Sequence, residues 1–84
     1  MAEVSAEFEA AVEASKSLPS KPDNDTLLKL YGLYKQATAG DVSSKRPGFT
    51  DPVGRAKWDA YEKFKGTDSA QAQSDYIALV DSLK

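Results

Sequence analysis

The chain has 84 residues, a formal net charge of −2, and neither cysteine nor histidine. Without these two residue types it offers no disulfide, no zinc–thiolate site, no thiolate nucleophile and no imidazole base. We therefore expect one small domain, spanning residues 1–84, that is not an enzyme and has no catalytic residue, no metal site and no cofactor.

The first helix is predicted to run from about Ser5 to about Lys16. Phe8 and Val12 are four residues apart, with Ala11 beside them, and this spacing gives one apolar stripe along a helix. Glutamates near its start complement the helix dipole. Pro19 and Pro22 follow closely, and two prolines in four residues forbid continued helix, so a short connection is expected there.

The second helix is predicted from a cap at Asp23 to about Ala39, where Gly40 ends it. Its apolar positions cover more than one stripe, so this helix is expected to contact several partners. Gly32 lies in its interior, where glycine costs about 1 kcal/mol relative to alanine. Such a glycine is more typical of a tolerated or closely packed position than of a ligand site.

A connection of about eleven residues, 40–50, follows and is long for a small bundle. The third helix is predicted to begin with Asp51 as cap and Pro52 in the first turn, and to end at Gly66. Thr67 is the predicted cap of the fourth helix. The pattern predicts an all-α fold, and the long connection allows helix three to run parallel to helix two.

We expect no signal peptide and no membrane-spanning segment within residues 1–84. Residues 1–20 contain four glutamates and no apolar run, which is not typical of a signal peptide. No segment approaches the roughly 20 apolar residues that span a bilayer. We expect a soluble, cytoplasmic protein, and the lack of cysteine fits a reducing compartment.

Charge is distributed unevenly along the sequence. Residues 1–28 carry −4, residues 29–65 carry +4 and residues 66–84 carry −2. An acidic chain with a basic middle repels polyanions in general but can capture a compact anion locally. Nucleic-acid binders usually have a broad basic face and a high isoelectric point, and the value here is about 5.0. We therefore expect no nucleic-acid partner.

The most informative residues lie in the basic middle. On a helix, Tyr31, Tyr34 and Lys35 project from one side, since they are three and four residues apart. Aromatic faces can stack a planar base, and phenols and ammonium groups can hold phosphate oxygens. Lys57 and Trp58, on helix three, could close over the same place. The combination indicates a nucleotide-like anionic ligand.

Two other interpretations remain open at this point. Each lysine taken singly is typical of a solvated surface, and each tyrosine of a core position with a wet hydroxyl. A different class of function is a helical interaction module whose basic middle docks an acidic protein or an anionic membrane. Calorimetry with candidate ligands separates these possibilities.

The motifs of this sequence resemble those of the acyl-CoA-binding protein family over nearly the whole chain. Phe8, Lys16, Lys21 and Pro22 also fall where that family's pattern has them. The motifs that carry the resemblance are Leu30-Tyr31-Gly32-Leu33-Tyr34-Lys35-Gln36-Ala37-Thr38, Gly40-Asp41-Val42, Arg46-Pro47-Gly48, Gly54-Arg55-Ala56-Lys57-Trp58-Asp59-Ala60, Lys65-Gly66-Thr67 and Tyr76-Ile77.

This resemblance implies a small four-helix bundle with up-down-down-up topology and a long loop between helices two and three. It also implies a non-catalytic, monomeric carrier that binds long-chain acyl-CoA thioesters, shields the acyl chain, and meets acyl-CoA-using enzymes and membranes transiently. The resemblance is thus the source of the ligand's identity, while the residue pattern alone indicates its charge and its planar base.

The resemblance further implies roles for particular residues. Tyr31, Lys35 and Lys57 would hold the 3′-phosphate of the CoA ribose, and Tyr34 would pack against the adenine. The remaining residues of the implied site fall into two sets. Those that would complete the head-group site are Lys16 and Tyr76, and those implied near the acyl chain are Val12, Leu27 and Leu28.

Overall fold

The computed structural model describes residues 4–84 and contains four helices and no strand in that range. The helices are α1 (Ala6–Ser15), α2 (Asn24–Ala39), α3 (Pro52–Glu62) and α4 (Ser69–Leu83). The prediction of an all-α four-helix fold is confirmed. None of the helices described is both long and apolar enough to cross a membrane.

Three of the predicted helix starts are confirmed by the hydrogen bonds of their caps. Ser5 Oγ accepts from the backbone N–H of Phe8, and the carboxylates of Asp23 and Asp51 accept from the residues three positions on. Each bond satisfies one of the N–H groups that a helix leaves unpaired in its first turn. Local chemistry therefore sets these three boundaries.

Two predicted boundaries around residue 65 were wrong. α3 ends at Glu62 and is followed by a turn over residues 63–66, whose last residue, Gly66, has a positive φ of 90°. α4 is capped by Asp68, which accepts from the N–H of Ala70, and not by Thr67. The carbonyl of Thr67 is used in a tertiary bond to Gln36, so that residue belongs to the α3–α4 turn.

α2 and α3 run parallel, because contacts between them advance in the same direction along both helices. The Lys57 ammonium lies over the Tyr31 ring, and one turn further on the Lys35 ammonium lies over the Tyr61 ring. The connection over residues 40–51 spans the length of the pair. This is the geometry that a long second loop was expected to allow.

α4 runs antiparallel to α2, since Ser69 at its start donates a hydrogen bond from Oγ to the carbonyl of Ala37 near the end of α2. α1 runs parallel to α4. The N–H of Ser5, before α1, donates to Gln73 in the first half of α4. The topology is therefore up-down-down-up, as the resemblance implied.

The bundle extends over 34 × 29 × 15 Å. α2 and α4 form its centre, α3 packs on α2, and α1 packs on α4. The buried core lies along the α2–α4 seam and against α1. Its largest fully buried side chains are Phe8, Leu33, Gln36 and Val80. The grooves described below lie along the seams between helices.

Gly32 sets the distance between α2 and α3. A Cβ at this position would lie 2.5 Å from the carbonyl oxygen of Ala60 and 2.8 Å from the ring of Phe64. Atoms cannot approach so closely, so only a residue without a side chain fits. The interior glycine of α2 is a close-packing residue.

Candidate functional site

Two grooves open along the α2–α3 seam, and the half-buried Tyr31 borders both. Each has a volume of about 390 Å³. The polar groove is lined by Tyr31, Lys35, Ala39, Asp41, Ser43, Ser44, Lys45, Pro47, Gly54, Trp58 and Tyr61. The apolar groove is lined by Asn24, Leu27, Leu28, Tyr31, Pro52, Val53, Ala56 and Lys57.

The two candidate phosphate-binding lysines line different grooves of this seam, and Tyr31 borders both grooves. The Lys57 ammonium is 5.6 Å from the centre of the Tyr31 ring and lines the apolar groove. Lys35 lines the polar groove, with its ammonium 5.9 Å from the centre of the Tyr61 ring. Attraction between a cation and an aromatic face positions each ammonium at the seam. Tyr31, Lys35 and Lys57 thus lie along one seam between two parallel helices, with the two ammonium groups over different rings.

Tyr34 and Tyr76 belong to an aromatic cluster with Phe8 on the other side of α2. The Phe8 and Tyr34 ring centres are 6.0 Å apart with nearly parallel planes, and those of Phe8 and Tyr76 are 5.1 Å apart. Tyr34 keeps 40% of its surface exposed, whereas Tyr76 keeps 4%. Tyr34 therefore has surface to offer a planar base, and Tyr76 is mainly a packing residue.

The hydroxyl of Tyr76 lies 3.2 Å from Ser15 Oγ, at the end of α1. Lys16 follows directly, with an exposed side chain that pairs with Glu13 at 3.7 Å. These residues surround the aromatic cluster and do not line the grooves of the α2–α3 seam. The structure divides the six predicted ligand-binding residues into Tyr31, Lys35 and Lys57 on one side, and Lys16, Tyr34 and Tyr76 on the other.

The implied acyl-chain residues are also divided. Leu27 and Leu28 line the apolar groove next to Tyr31. Val12 lines a different groove of about 430 Å³ between α1 and α2, together with Phe8 and Tyr34. An apolar chain beside Tyr31 would meet the two leucines directly.

Side chains of α3 hold the 40–51 connection against the polar groove. The indole N–H of Trp58 donates to the carbonyl of Ser44 at 3.0 Å. Arg46 makes a two-point ion pair with Asp59 at 2.9 and 2.8 Å. Trp58 was expected to close over the same place as Tyr31 and Lys35, and it lines the polar groove together with them.

Tyr61 adds a third attachment, since its hydroxyl donates to the carbonyl of Gly40 at 2.5 Å. Burial raises the pKa of this phenol, and the nearby Tyr31 and Asp41 raise it further. The hydroxyl therefore stays protonated and remains a donor at neutral pH. The wall of the polar groove is fixed at three points along α3.

The sequence analysis did not predict a group of hydrogen bonds at the end of α2. This group, called the clasp below, joins Gln36, Asp41, Gly66 and Thr67. Gln36 is 1% exposed, and its Nε2 donates to the carboxylate of Asp41 and to the carbonyl of Thr67, each at 2.8 Å. Asp41 also accepts from the N–H of Gly66 at 2.8 Å. A glutamine among the inward-facing positions of an amphipathic helix was the signal that could have revealed this clasp.

Because the clasp includes the carboxylate of Asp41, the free energy of unfolding depends on pH. The N–H of Gly66 and the amide of Gln36 lower the pKa of Asp41 below its ordinary value. Because the folded state then releases this proton more readily than the unfolded chain, the contribution is present above the ordinary pKa of about 3.9 and disappears as pH falls through the lowered value. We expect the free energy of unfolding, measured with urea, to fall below about pH 4.

Asp41→Asn should lower that free energy at pH 7 and flatten its dependence on pH, because the substituted side chain does not titrate. Asp23 and Asp59 also have lowered pKa values, owing to Thr26 and Arg46 respectively, and leave a residual slope in the variant. Unfolding curves of parent and variant that stay parallel from pH 7 to about pH 2.5 would contradict this role of the clasp.

Comparison with known proteins places this fold and sequence in a family. The family model described as acyl CoA binding protein matches residues 5–80. The chain belongs to the acyl-CoA-binding protein family. The resemblance seen in the motifs is thereby confirmed.

Relatives from distant organisms match the chain over nearly its whole length. An acyl-CoA-binding protein 2 from Saccharomyces pastorianus is 49% identical over 80 residues, which is 95% of this chain and 92% of the relative. An acyl-CoA-binding protein homolog from Drosophila melanogaster is 48% identical over 80 residues, 95% of this chain and 93% of the relative.

Solved structures of the acyl-CoA-binding protein family share the fold. The crystal structure of Oryza sativa acyl-CoA-binding protein 2 superposes with a TM-score of 0.88 at 45% identity, covering 92% of this chain and 84% of that one. The solution structure of acyl coenzyme A binding protein from yeast gives a TM-score of 0.73 at 49% identity, covering 95% and 93%. The four-helix architecture is that of the family.

Proposed function

We propose that this protein is a cytoplasmic, monomeric and non-catalytic carrier that binds long-chain acyl-CoA thioesters for transport and for buffering of their pool. Its relatives carry the name acyl-CoA-binding protein, and it belongs to their family. The observation that supports the proposal most strongly is the position of Tyr31 at the border of a polar groove, which Lys35 lines, and an apolar groove, which Lys57 lines.

Electrostatic attraction between ammonium groups and phosphate contributes to binding of the CoA head group. A phosphate beside the Tyr31 hydroxyl is flanked by Lys35 and Lys57, which come from separate helices. Two opposite unit charges 4 Å apart attract by roughly 4 kcal/mol at an effective dielectric constant near 20. Ordering of the side chains and loss of their hydration reduce that figure. The 3′-phosphate of CoA is the group we assign to this position.

The adenine base packs on Tyr34, which lies about one helical turn after Tyr31 on α2. One face of the Tyr34 ring is covered by Phe8, and 40% of the residue is exposed. A base stacked on the exposed face would extend the Phe8–Tyr34 stack. Lys16 and Tyr76 lie at the far edge of this cluster, where Lys16 can reach a further phosphate oxygen.

The acyl chain occupies the apolar groove beside Leu27 and Leu28. Burying apolar carbon yields up to about 0.8 kcal/mol per methylene, less the cost of ordering the chain. Long thioesters are therefore favoured over CoA alone. A free fatty acid has the chain but lacks the phosphates, so it leaves the two ammonium groups without a partner.

Calorimetric titration with palmitoyl-CoA, CoA and palmitate tests this proposal. We expect tight binding of the thioester, binding of CoA that is weaker by at least a hundredfold, and no measurable binding of palmitate. Binding of the thioester should also weaken as salt rises, because salt screens the ammonium–phosphate attraction. Palmitate binding as tightly as palmitoyl-CoA would contradict a head-group-directed carrier.

A further inference from the structure

A third groove, of about 490 Å³, lies between α2 and α3 beside the two that Tyr31 borders. The ring of Phe64 forms part of it and packs against Gly32, since a Cβ on that glycine would lie 2.8 Å from the ring. The methylene stems of lysines add apolar surface to such a groove while their ammonium groups stay in water. The groove, called the back groove below, is lined by Asp25, Leu28, Lys29, Ala60, Lys63 and Phe64.

Leu28 stands between the back groove and the apolar groove. Among the residues that the structure describes, it is the one that lines both. On α3, Ala56 lines the apolar groove and Ala60 the back groove, and residues four apart share one face of a helix. Each alanine contributes a single methyl group, so the half-buried Leu28 is the bulky side chain at this boundary.

The apolar groove by itself is short for a long acyl chain. Its residues on α2 run from Asn24 to Tyr31, seven positions along the helix, which corresponds to about 10 Å of rise. An extended palmitoyl chain is longer than that distance. The groove therefore cannot cover such a chain from end to end, and any further methylene added to the chain stays in water.

We propose that Leu28 sets the upper limit of the acyl-chain length that the protein prefers, because it closes the apolar groove off from the back groove. This inference rests on the proposed carrier function and deepens it. Without the leucine side chain, grooves of about 390 and 490 Å³ would join, and the end of a long chain would reach the Phe64 ring. Each methylene that is then buried favours binding by about fourfold at most.

Calorimetric titration with lauroyl-, palmitoyl- and arachidoyl-CoA, whose saturated chains lengthen in equal steps, tests this role. For the parent protein we expect affinity to rise from lauroyl to palmitoyl and then to stay within a factor of about two for arachidoyl. For Leu28→Ala we expect arachidoyl-CoA to bind about tenfold or more tightly than palmitoyl-CoA, because the added methylenes are buried in the joined grooves. Leu28→Val removes less of the side chain and should shift the same ratio in the same direction by a smaller factor.

Leu27→Ala is the matched control. Leu27 lines the apolar groove but not the back groove, and its substitution removes the same atoms from the neighbouring position of α2. This variant should bind palmitoyl-CoA and arachidoyl-CoA more weakly than the parent by the same factor, so that the ratio of the two affinities stays near that of the parent. An equal change of this ratio in Leu27→Ala and Leu28→Ala would overturn a specific role of Leu28.

Nuclear magnetic resonance locates the end of the chain directly. Arachidoyl-CoA labelled with carbon-13 at its terminal methyl is bound to the parent and to Leu28→Ala. We expect a nuclear Overhauser effect between this methyl and the ring of Phe64 in the variant and none in the parent, because Phe64 lines the back groove and not the apolar groove. The same effect in both proteins would show that Leu28 does not close the back groove.

The failure of this inference differs from the failure of the carrier function. A parent protein that binds none of the three thioesters would refute the carrier function, and the role of Leu28 with it. A parent that binds palmitoyl-CoA, together with a Leu28→Ala variant that does not prefer arachidoyl-CoA, would refute the role of Leu28 alone. A parent whose affinity already rises about tenfold from palmitoyl to arachidoyl would also overturn it, since the back groove would then be open.

Discussion

Replacing Lys35 and Lys57 together by alanine is expected to weaken palmitoyl-CoA binding by a hundredfold or more. Hydrogen bonds to a charged partner contribute about 1.5–3 kcal/mol each, and about 1.4 kcal/mol corresponds to a tenfold change in affinity. The two lysines come from different helices and line the two grooves that Tyr31 borders. Both contacts are lost in the double variant, and calorimetry measures the result.

The matched control is Lys65→Ala combined with Lys84→Ala, which removes the same charge from two exposed positions that do not line the grooves described above. This control should bind within a factor of two or three of the parent, since exposed charges at a distance are screened by salt. Far-ultraviolet circular dichroism should be unchanged in both variants. Thioester affinity of the Lys35 and Lys57 double variant within a factor of two of the parent would show that these lysines do not hold the phosphate.

Gly32→Ala is expected to destabilise the fold by about 2 kcal/mol and to lower the melting temperature by roughly 10 °C. In an open helix the same change would stabilise by up to about 1 kcal/mol, because alanine has the higher helix propensity. Here the added methyl would meet the backbone carbonyl of Ala60 at 2.5 Å, and backbone cannot rotate away as a side chain can. α3 must therefore shift away from α2.

Gly48→Ala is the control, because a Cβ at Gly48 has no neighbour within 4 Å. Its effect should stay within about 0.5 kcal/mol. Since Tyr31 and Lys57 face each other across the same seam, Gly32→Ala should also weaken thioester binding. A Gly32→Ala variant that melts at or above the temperature of the parent would show that the α2–α3 spacing is not fixed by this glycine.

Much of the fold could be predicted from the sequence because its boundaries depend on local chemistry. Asp23 and Asp51 are strong caps next to helical patterns, and Pro19 and Pro22 exclude helix between α1 and α2. The boundary between α3 and α4 could not be predicted in the same way. Thr67 and Asp68 are both good caps, and the choice between them is made by the tertiary bond from Gln36 to the Thr67 carbonyl.

The candidate site could be predicted in part. Tyr31 and Lys35 share a helix face by their spacing, and Lys57 with Trp58 was expected to close over the same place. The resemblance to a family supplied the role of Lys57 at the 3′-phosphate. Spacing along one helix cannot show that Tyr34 and Tyr31 border different grooves, since that depends on where α1 and α3 pack. Whether a tyrosine such as Tyr76 is buried is likewise decided by its neighbours Phe8 and Ser15.

Two further features could not be predicted from local sequence, for a related physical reason. One is the clasp of Gln36, Asp41 and Gly66. The other is the set of bonds that attach the long connection to α3. Each joins residues far apart in sequence, and each depends on the angle at which a side chain leaves its helix. Their consequence is a fixed wall for the polar groove. The α3 side chains that hold this wall lie on the same helix as Lys57, so one rigid element carries both.

Calorimetric comparison of palmitoyl-CoA with palmitoyl-3′-dephospho-CoA tests the account most directly, because the two ligands differ by the one phosphate assigned to Tyr31, Lys35 and Lys57. We expect the parent protein to prefer palmitoyl-CoA by about a hundredfold, and the Lys35 and Lys57 double variant to bind both ligands almost equally. Equal affinity of the parent protein for the two thioesters would contradict the phosphate site at Tyr31.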